Sequence, residues 1–144
     1  MMSILQLSVF LENQPGTLAK AVALLADNMI NIRAISLAET ESFGILRIIV
    51  SEPEKAKKIL DNNNFPTSLH PVVAAEVPDT PGGLAFVVNL LDKAHVNIEY
   101  MYGFIEKKPD HALMVFRIEN LEEAETLLTE NKIRLIQPDD IQSL

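Results

Sequence analysis

Cysteine is absent from the 144 residues, so the chain has neither disulfides nor thiolate metal sites, which fits a reducing cytoplasm, the location expected for it. Positive charge is scarce as well: 12 Lys and Arg face 20 Asp and Glu, a net charge of -8. Such a chain repels a nucleic-acid backbone unless it carries a local basic patch. The one dense basic stretch, Lys55, Lys57 and Lys58, falls on a predicted helix among acidic neighbours and reads as a solvated face, so no nucleic-acid partner is expected. The first eleven residues are interrupted by Gln6 and Ser8 and lack a basic start; they read neither as a secretion signal nor as a membrane span, and no membrane partner is expected. A Gly-rich phosphate loop of either common kind is missing. His70, His95 and His111 fall on different predicted elements, without metal-ligand spacing and without a nucleophile motif beside them. No catalytic residue, metal or cofactor is therefore expected, and the chain is read as a non-enzyme. The acidic run Glu119, Glu122, Glu123 and Glu125 reads as a solvated helix face.

What the chain does have is a repeat. Hydrophobic residues make up 48%, ample for a packed core. With Pro15-Gly16 laid over Pro81-Gly82, an offset of 66, nine of the eighteen positions from 15 to 32 are identical. Past the next hairpin the offset becomes 68, pairing Ala56 with Ala124 and Leu60 with Leu128; the two extra residues fit the turn material Lys107-Lys108-Pro109-Asp110. Two domains follow, residues 1–71 and 72–144, with the join near 71–76. Domains of that size bury a small share of their surface, so mutual packing is expected of them.

Periodicity assigns each segment. Leu5, Leu7, Val9 and Leu11 alternate with Ile4, Gln6, Ser8 and Phe10, a strand with one buried face. After the Pro-Gly pair, Leu18, Ala21, Val22, Leu25 and Met29 recur at helical spacing, and Leu84, Val87, Val88, Leu91 and His95 repeat the stripe. Residues 31–38 and 43–50 read as a hairpin turning at 39–42. Ser51 with Glu54 looks like a capping box for a helix whose inner face is Ala56, Ile59 and Leu60; Asn62, Asn63 and Asn64 end it, and residues 68–73 form a fourth strand. The second unit repeats this over 72–77, 83–94, 97–105, 112–118, 121–130 and 133–136. The fold class is α+β: two ferredoxin-like βαββαβ units packed side by side, each an antiparallel sheet with both helices on one face.

The most informative element is the turn between first strand and first helix: Asn13, Gln14, Pro15, Gly16, Thr17 and Leu18 in one unit, and Asp79, Thr80, Pro81, Gly82, Gly83 and Leu84 in the other. Proline sets the turn, and glycine lets a ligand or another chain approach the backbone at a helix N-terminus, where unpaired N–H groups attract carboxylates. A plain turn and helix cap is the alternative. Tyr100, Tyr102 and Phe104 alternate where the first unit has Ala34, Ser36 and Ala38, which suits either sheet packing or the wall of a pocket or interface.

A first strand, then x-x-Pro-Gly-x-Leu, then Asn-Ile opening the second strand resembles the ACT domain, over essentially the whole chain. The resemblance implies regulatory modules that pair side by side and bind a free amino acid at the seam, between the Pro-Gly loop of one unit and the helix-to-strand region of the other. It marks Asn31, Ile32, Asn97 and Ile98 as further contacts; each Asn serves equally well as a local turn cap. The family pattern has Asp two residues before the proline, which Asp79 matches and Asn13 does not, so the two sites are expected to differ. The function so implied is an amino-acid sensor. The alternative is a regulatory subunit or interaction module of an amino-acid biosynthetic enzyme, like the small subunit of acetolactate synthase, without a ligand of its own; an enzyme partner and a homodimer both stay open.

Overall fold

The computed structural model describes residues 3–39, 42–106 and 108–143. Thr40 and Glu41 of the expected hairpin turn, and Lys107 of the inserted turn, lie outside the described residues. The elements run β1 (Ile4–Glu12), α1 (Thr17–Asp27), β2 (Ile32–Glu39), β3 (Phe43–Val50), α2 (Pro53–Asn62), β4 (Thr67–Pro78), α3 (Gly83–Lys93), β5 (Ile98–Gly103), β6 (His111–Ile118), α4 (Leu121–Glu130) and α5 (Pro138–Ser143). The chain forms two compact units, Leu5–His70 and Met1–Ile4 with Pro71–Leu144, called here the N-terminal and C-terminal units.

In the N-terminal unit β1 lies between β3 and the first part of β4, with β2 beyond β3. Leu7 pairs with Ile48, Val9 with Leu46, and Ile35 with Ile48 across antiparallel ladders. In the C-terminal unit β6 lies between β4 and β5. The strand expected at 133–136 is reduced to an isolated bridge, Ala75 to Leu135, around which Glu76 N donates to Arg134 O at 2.9 Å and Ile136 N to Ala74 O at 2.7 Å. Both units are thus ferredoxin-like, and their hairpins share an irregularity, between Ile32 and Ala34 and between Ile98 and Tyr100. β4 is a single strand where two had been expected, at 68–73 and 72–77. Pro71 does not break it; the residue is exposed, so its missing N–H leaves no buried group unpaired, and its carbonyl accepts a bond from Arg117 Nη1 at 3.0 Å.

Each of α1 to α4 buries an alanine, or in α3 a valine, and then a leucine four positions on: Ala21 and Leu25, Ala56 and Leu60, Val87 and Leu91, Ala124 and Leu128. Residues four apart share a helix face, and the smaller one lets that face sit close to its sheet. These pairs meet Leu7, Val9, Leu46 and Ile48 in one core and Val73, Ala75, Phe116 and Ile118 in the other. The stripe expected from periodicity is wider than the buried one. Leu18 and Leu84 are partly exposed, and Met29 is 85% exposed.

Met29 and His95 lie beyond their helices because α1, α2, α3 and α4 all end in the same way. The residue two after the last helical one turns left-handed (Met29 φ 60°, Asn64 67°, His95 57°, Lys132 63°). The next residue then donates to the carbonyl five back: Ile30 to Leu25, Phe65 to Leu60, Val96 to Leu91 and Ile133 to Leu128, each at 2.9 Å. This is a Schellman closure, with a buried apolar residue following the left-handed one. Asn28, Asn63 and Asn131 add a side-chain bond to the carbonyl four back. Left-handed backbone costs a non-glycine roughly 1–2 kcal/mol, and Met29 recovers little by burial. Met29→Gly should therefore stabilise the protein by about 1 kcal/mol, seen as a Tm rise of roughly 2–4 °C in thermal denaturation.

Three local expectations need correction. Ser51 and Glu54 form no capping box: the N-cap is Glu52, no side chain caps α2, and Ser51 Oγ instead accepts the Asn31 N–H at 3.3 Å. As far as Ser8, β1 is buried on both faces, since Gln6 and Ser8 are covered and Gln6 Nε2 donates to Ser8 Oγ at 3.1 Å. Glu125 is not on a solvated face; it is 9% exposed and accepts a bond from Ser3 Oγ at 3.2 Å. The basic run is partly engaged, with Lys55 reaching Asn28 O and Lys57 reaching Thr67 and Asp61.

One ion cluster ties the C-terminal unit together. The Glu76 side chain, 13% exposed, meets Lys108 Nζ at 2.8 Å and Arg134 Nη1 at 2.7 Å, and Arg134 continues to Asp140 on α5. Burial pushes the Glu76 carboxyl up, but the bonds from Lys108 and Arg134 outweigh it and hold the pKa below the ordinary 4.5. With the folded pKa below the unfolded one, the stabilisation is complete above pH 4.5 and is lost as pH falls through the folded value. Glu76→Gln should cost about 1 kcal/mol at neutral pH, and wild type and variant should converge in acid denaturation below about pH 4.5.

Candidate functional site

At the C-terminal end of β1 the chain leaves the sheet, and Gln14 N turns back to bond Glu12 O at 2.8 Å. Gly16 follows at φ 92° as the N-cap of α1, and Gly82 holds the same place before α3 at φ 88°. That conformation is open to glycine and strained for β-branched residues. A Cβ built on either glycine meets nothing within 4 Å, so both bends stand clear of surrounding atoms. Neither α1 nor α3 has a side-chain cap or an acidic residue in its first turn. The helix that follows the hairpin in each unit differs: α2 carries Glu54 and α4 carries Glu122 and Glu123 in the first turn. The partial positive charge at a helix start is thus met internally on α2 and α4 and left open on α1 and α3. The N-cap positions are held by Gly16 and Gly82; the backbone N–H groups of Asn13 and Asp79 upstream bond Ser42 O and Asp110 O.

The two loops differ at the next residue. Thr17 is half-buried and its hydroxyl donates to Gln14 O at 3.1 Å. Gly83 is buried, and a Cβ there would overlap the Pro78 carbonyl oxygen. Close packing against the strand end, which the sequence does not signal, is what Gly83 provides.

In the N-terminal unit the loop forms one side of a half-open groove of about 640 Å³. Gln14, Pro15, Gly16 and Thr17 line it, with Lys20 one turn along α1. The rest of the lining comes from Phe10 and Glu12 on β1, Phe43 on β3, and residues 63–66, where Phe65 follows the Schellman turn of α2. Sequence reasoning singled out the loop but not this part of the lining, because it is assembled from three separate elements. Phe10, Glu12 and Phe43 do carry a signal: they alternate away from the core-facing Val9 and Leu11, and Glu12 pairs directly with Phe43. Glu12 and Lys20 have no ion-pair partner among the described residues.

Asn31, Ile32, Asn97 and Ile98 are not brought to the loop of their own unit. Asn31 is exposed and sits beside Ser51, past the end of β3, whereas the loop follows Glu12, which pairs with Phe43 at the start of β3. Eight residues of strand, roughly 25 Å, separate those ends. Tyr100 and Tyr102 stack with ring centroids 6.4 Å apart on the sheet face opposite the helices, pairing with Arg117 and Val115. His70 on β4 bonds Ser68 Oγ, His95 is the exposed left-handed residue after α3, and His111 on β6 bonds Pro109 O. Among the described residues no three His, Asp or Glu side chains gather as metal ligands, and no helix is long and apolar enough to cross a membrane.

A family model described as an ACT domain pair matches residues 2–144. Among solved structures, the protein BT0572 from Bacteroides thetaiotaomicron is 40% identical, with a TM-score of 0.92, covering 99% of this chain and 98% of its own. The regulatory subunit of aspartate kinase from Thermus thermophilus, in ligand-free form, shares the fold at 17% identity and a TM-score of 0.67, over 90% of this chain and 93% of its own. No curated protein matches the chain.

Proposed function

Because this chain belongs to the ACT domain pair family, we propose that it is a non-catalytic sensor that binds a free amino acid at its Pro-Gly loops and reports the binding to a partner enzyme. The observation that carries the reading is the matched asymmetry of the helix starts. In each unit the helix behind the Pro-Gly bend begins with an open glycine, no cap and no acid, while the helix after the hairpin supplies its own acids. A ligand α-carboxylate complements such a start by accepting N–H bonds of the first turn and meeting the helix dipole. Charge-assisted bonds contribute roughly 1.5–3 kcal/mol each, so a few of them reach the roughly −4 to −8 kcal/mol of millimolar to micromolar affinity. The proposed contacts are Asn13 and Gln14 through Leu18 in one loop and Asp79 through Leu84 in the other. Asn31, Ile32, Asn97 and Ile98 lie at the far end of their own units, so they would meet a ligand only when it is held by a loop other than their own.

Calorimetric titration of the full chain with each of the twenty amino acids tests the reading. Heat from one or a few of them, at micromolar to millimolar dissociation constants, is expected. Flat traces from all twenty, together with co-purification of an enzyme, would replace the sensor with an interaction module that has no ligand.

A further inference from the structure

The groove of the N-terminal unit presents one charge of each sign and two aromatic rings that the fold itself does not require. The duplicated unit is an internal control. At the positions equivalent to Glu12 and Lys20 the C-terminal unit has Pro78 and Phe86, at Phe43 it has His111, and at Phe10 it has Glu76. It builds the same strand, bend and helix without any of the four groove residues. Glu76, moreover, is bound by Lys108 and Arg134 within its own unit, whereas Glu12 and Lys20 are both exposed and meet no opposite charge among the described residues. Phe10 is 41% and Phe43 51% exposed, an unusual cost for two aromatic rings flanking one carboxylate.

We infer that this groove is specific for an α-amino acid with an apolar, preferably aromatic, side chain: Lys20 and the α1 start take its carboxylate, Glu12 takes its ammonium, and Phe10 and Phe43 cover its side chain. The inference rests on the amino-acid reading above and adds the ligand class. The groove's volume of about 640 Å³ lies inside the usual ~300–1,000 Å³ of small-molecule sites. An ammonium and a carboxylate on one carbon match a site that offers one charge of each sign, and an apolar side chain gains by covering exposed rings. An acidic ligand would bring a second negative charge to a site with one lysine, and a basic ligand a second positive charge to a site with one carboxylate.

The test is calorimetric titration of the full chain with L-phenylalanine, L-leucine, L-aspartate, L-lysine and N-acetyl-L-phenylalanine amide. L-phenylalanine should bind most tightly, with L-leucine next. The capped amide, which lacks both charges, should bind at least tenfold more weakly, as should L-phenylalanine on the Glu12→Gln and Lys20→Met variants. Phe43→Ser should weaken L-phenylalanine more than L-leucine. Tighter binding of L-aspartate or L-lysine, or undiminished binding of the capped amide, would overturn the ligand class while leaving the sensor reading intact. Binding of L-phenylalanine that ignores all three substitutions would place the site elsewhere. No heat from any free amino acid would remove both.

Discussion

Gly83→Val should cost the protein upward of about 3 kcal/mol and lower its Tm by roughly 6–12 °C, while Thr17→Ala, at the equivalent position of the other unit, should shift it by less than about 2 °C. Gly83 is the first residue of α3, and its N–H already bonds Thr80 O at 2.9 Å. A Cβ there collides with the carbonyl oxygen and carbon of Pro78, which are backbone atoms at the end of β4. No rotamer change relieves such an overlap; either the strand end or the helix start must move, and Val87 and Leu91 on that helix lie in the core. Thr17 already carries a side chain, so losing it removes one partly exposed hydrogen bond. Circular-dichroism melting of both variants decides the matter, and equal shifts would show that the two loops are packed alike.

Gly16→Val and Gly82→Val should leave the folded core in place and weaken amino-acid binding at least tenfold. Space is not the obstacle, since nothing lies within 4 Å of a Cβ at either position. The obstacle is backbone: at φ 92° and 88° a β-branched residue is strained by roughly 1–3 kcal/mol, so the bend rearranges and turns the first-turn amides away from the ligand. Gly16→Asn, which tolerates left-handed backbone, should retain more affinity than Gly16→Val, and Lys58→Ala, on the exposed face of α2, should change nothing. Calorimetry on the four variants separates these effects. A loss equal for Val and Asn would point to side-chain contact instead of backbone strain.

Much of this fold is legible in the sequence because it is written twice. The repeat of Pro-Gly, helix stripe and Asn-Ile is enough to place ten of the elements, since periodicity reports which residues face a core and the duplication removes chance matches. What escapes are features set by tertiary context. Met29 and His95 keep helical spacing but fall past a Schellman closure, which in this protein uses methionine and histidine where glycine would announce it. Pro71 suggests a break, yet β4 continues through it because the missing N–H faces no buried partner. Gln6 and Ser8 look solvent-facing by alternation and are buried, hydrogen-bonded to each other. α5, six residues from Pro138, is too brief to show a period, and Asp140 joins it to Arg134. The site divides in the same way. The loop is visible because its chemistry is local, whereas Phe10, Glu12, Phe43 and Phe65 meet only when β1, β3 and the end of α2 are assembled.

The measurement closest to the central claim follows the backbone amides themselves. In a ¹⁵N–¹H correlation spectrum of the full chain titrated with the amino acid that gives the largest calorimetric response, the N–H signals of Leu18 and Ala19, or of Leu84 and Ala85, should shift saturably, and far more than those of the α2 and α4 starts. A ligand that binds while leaving both sets of amides unmoved contradicts the account.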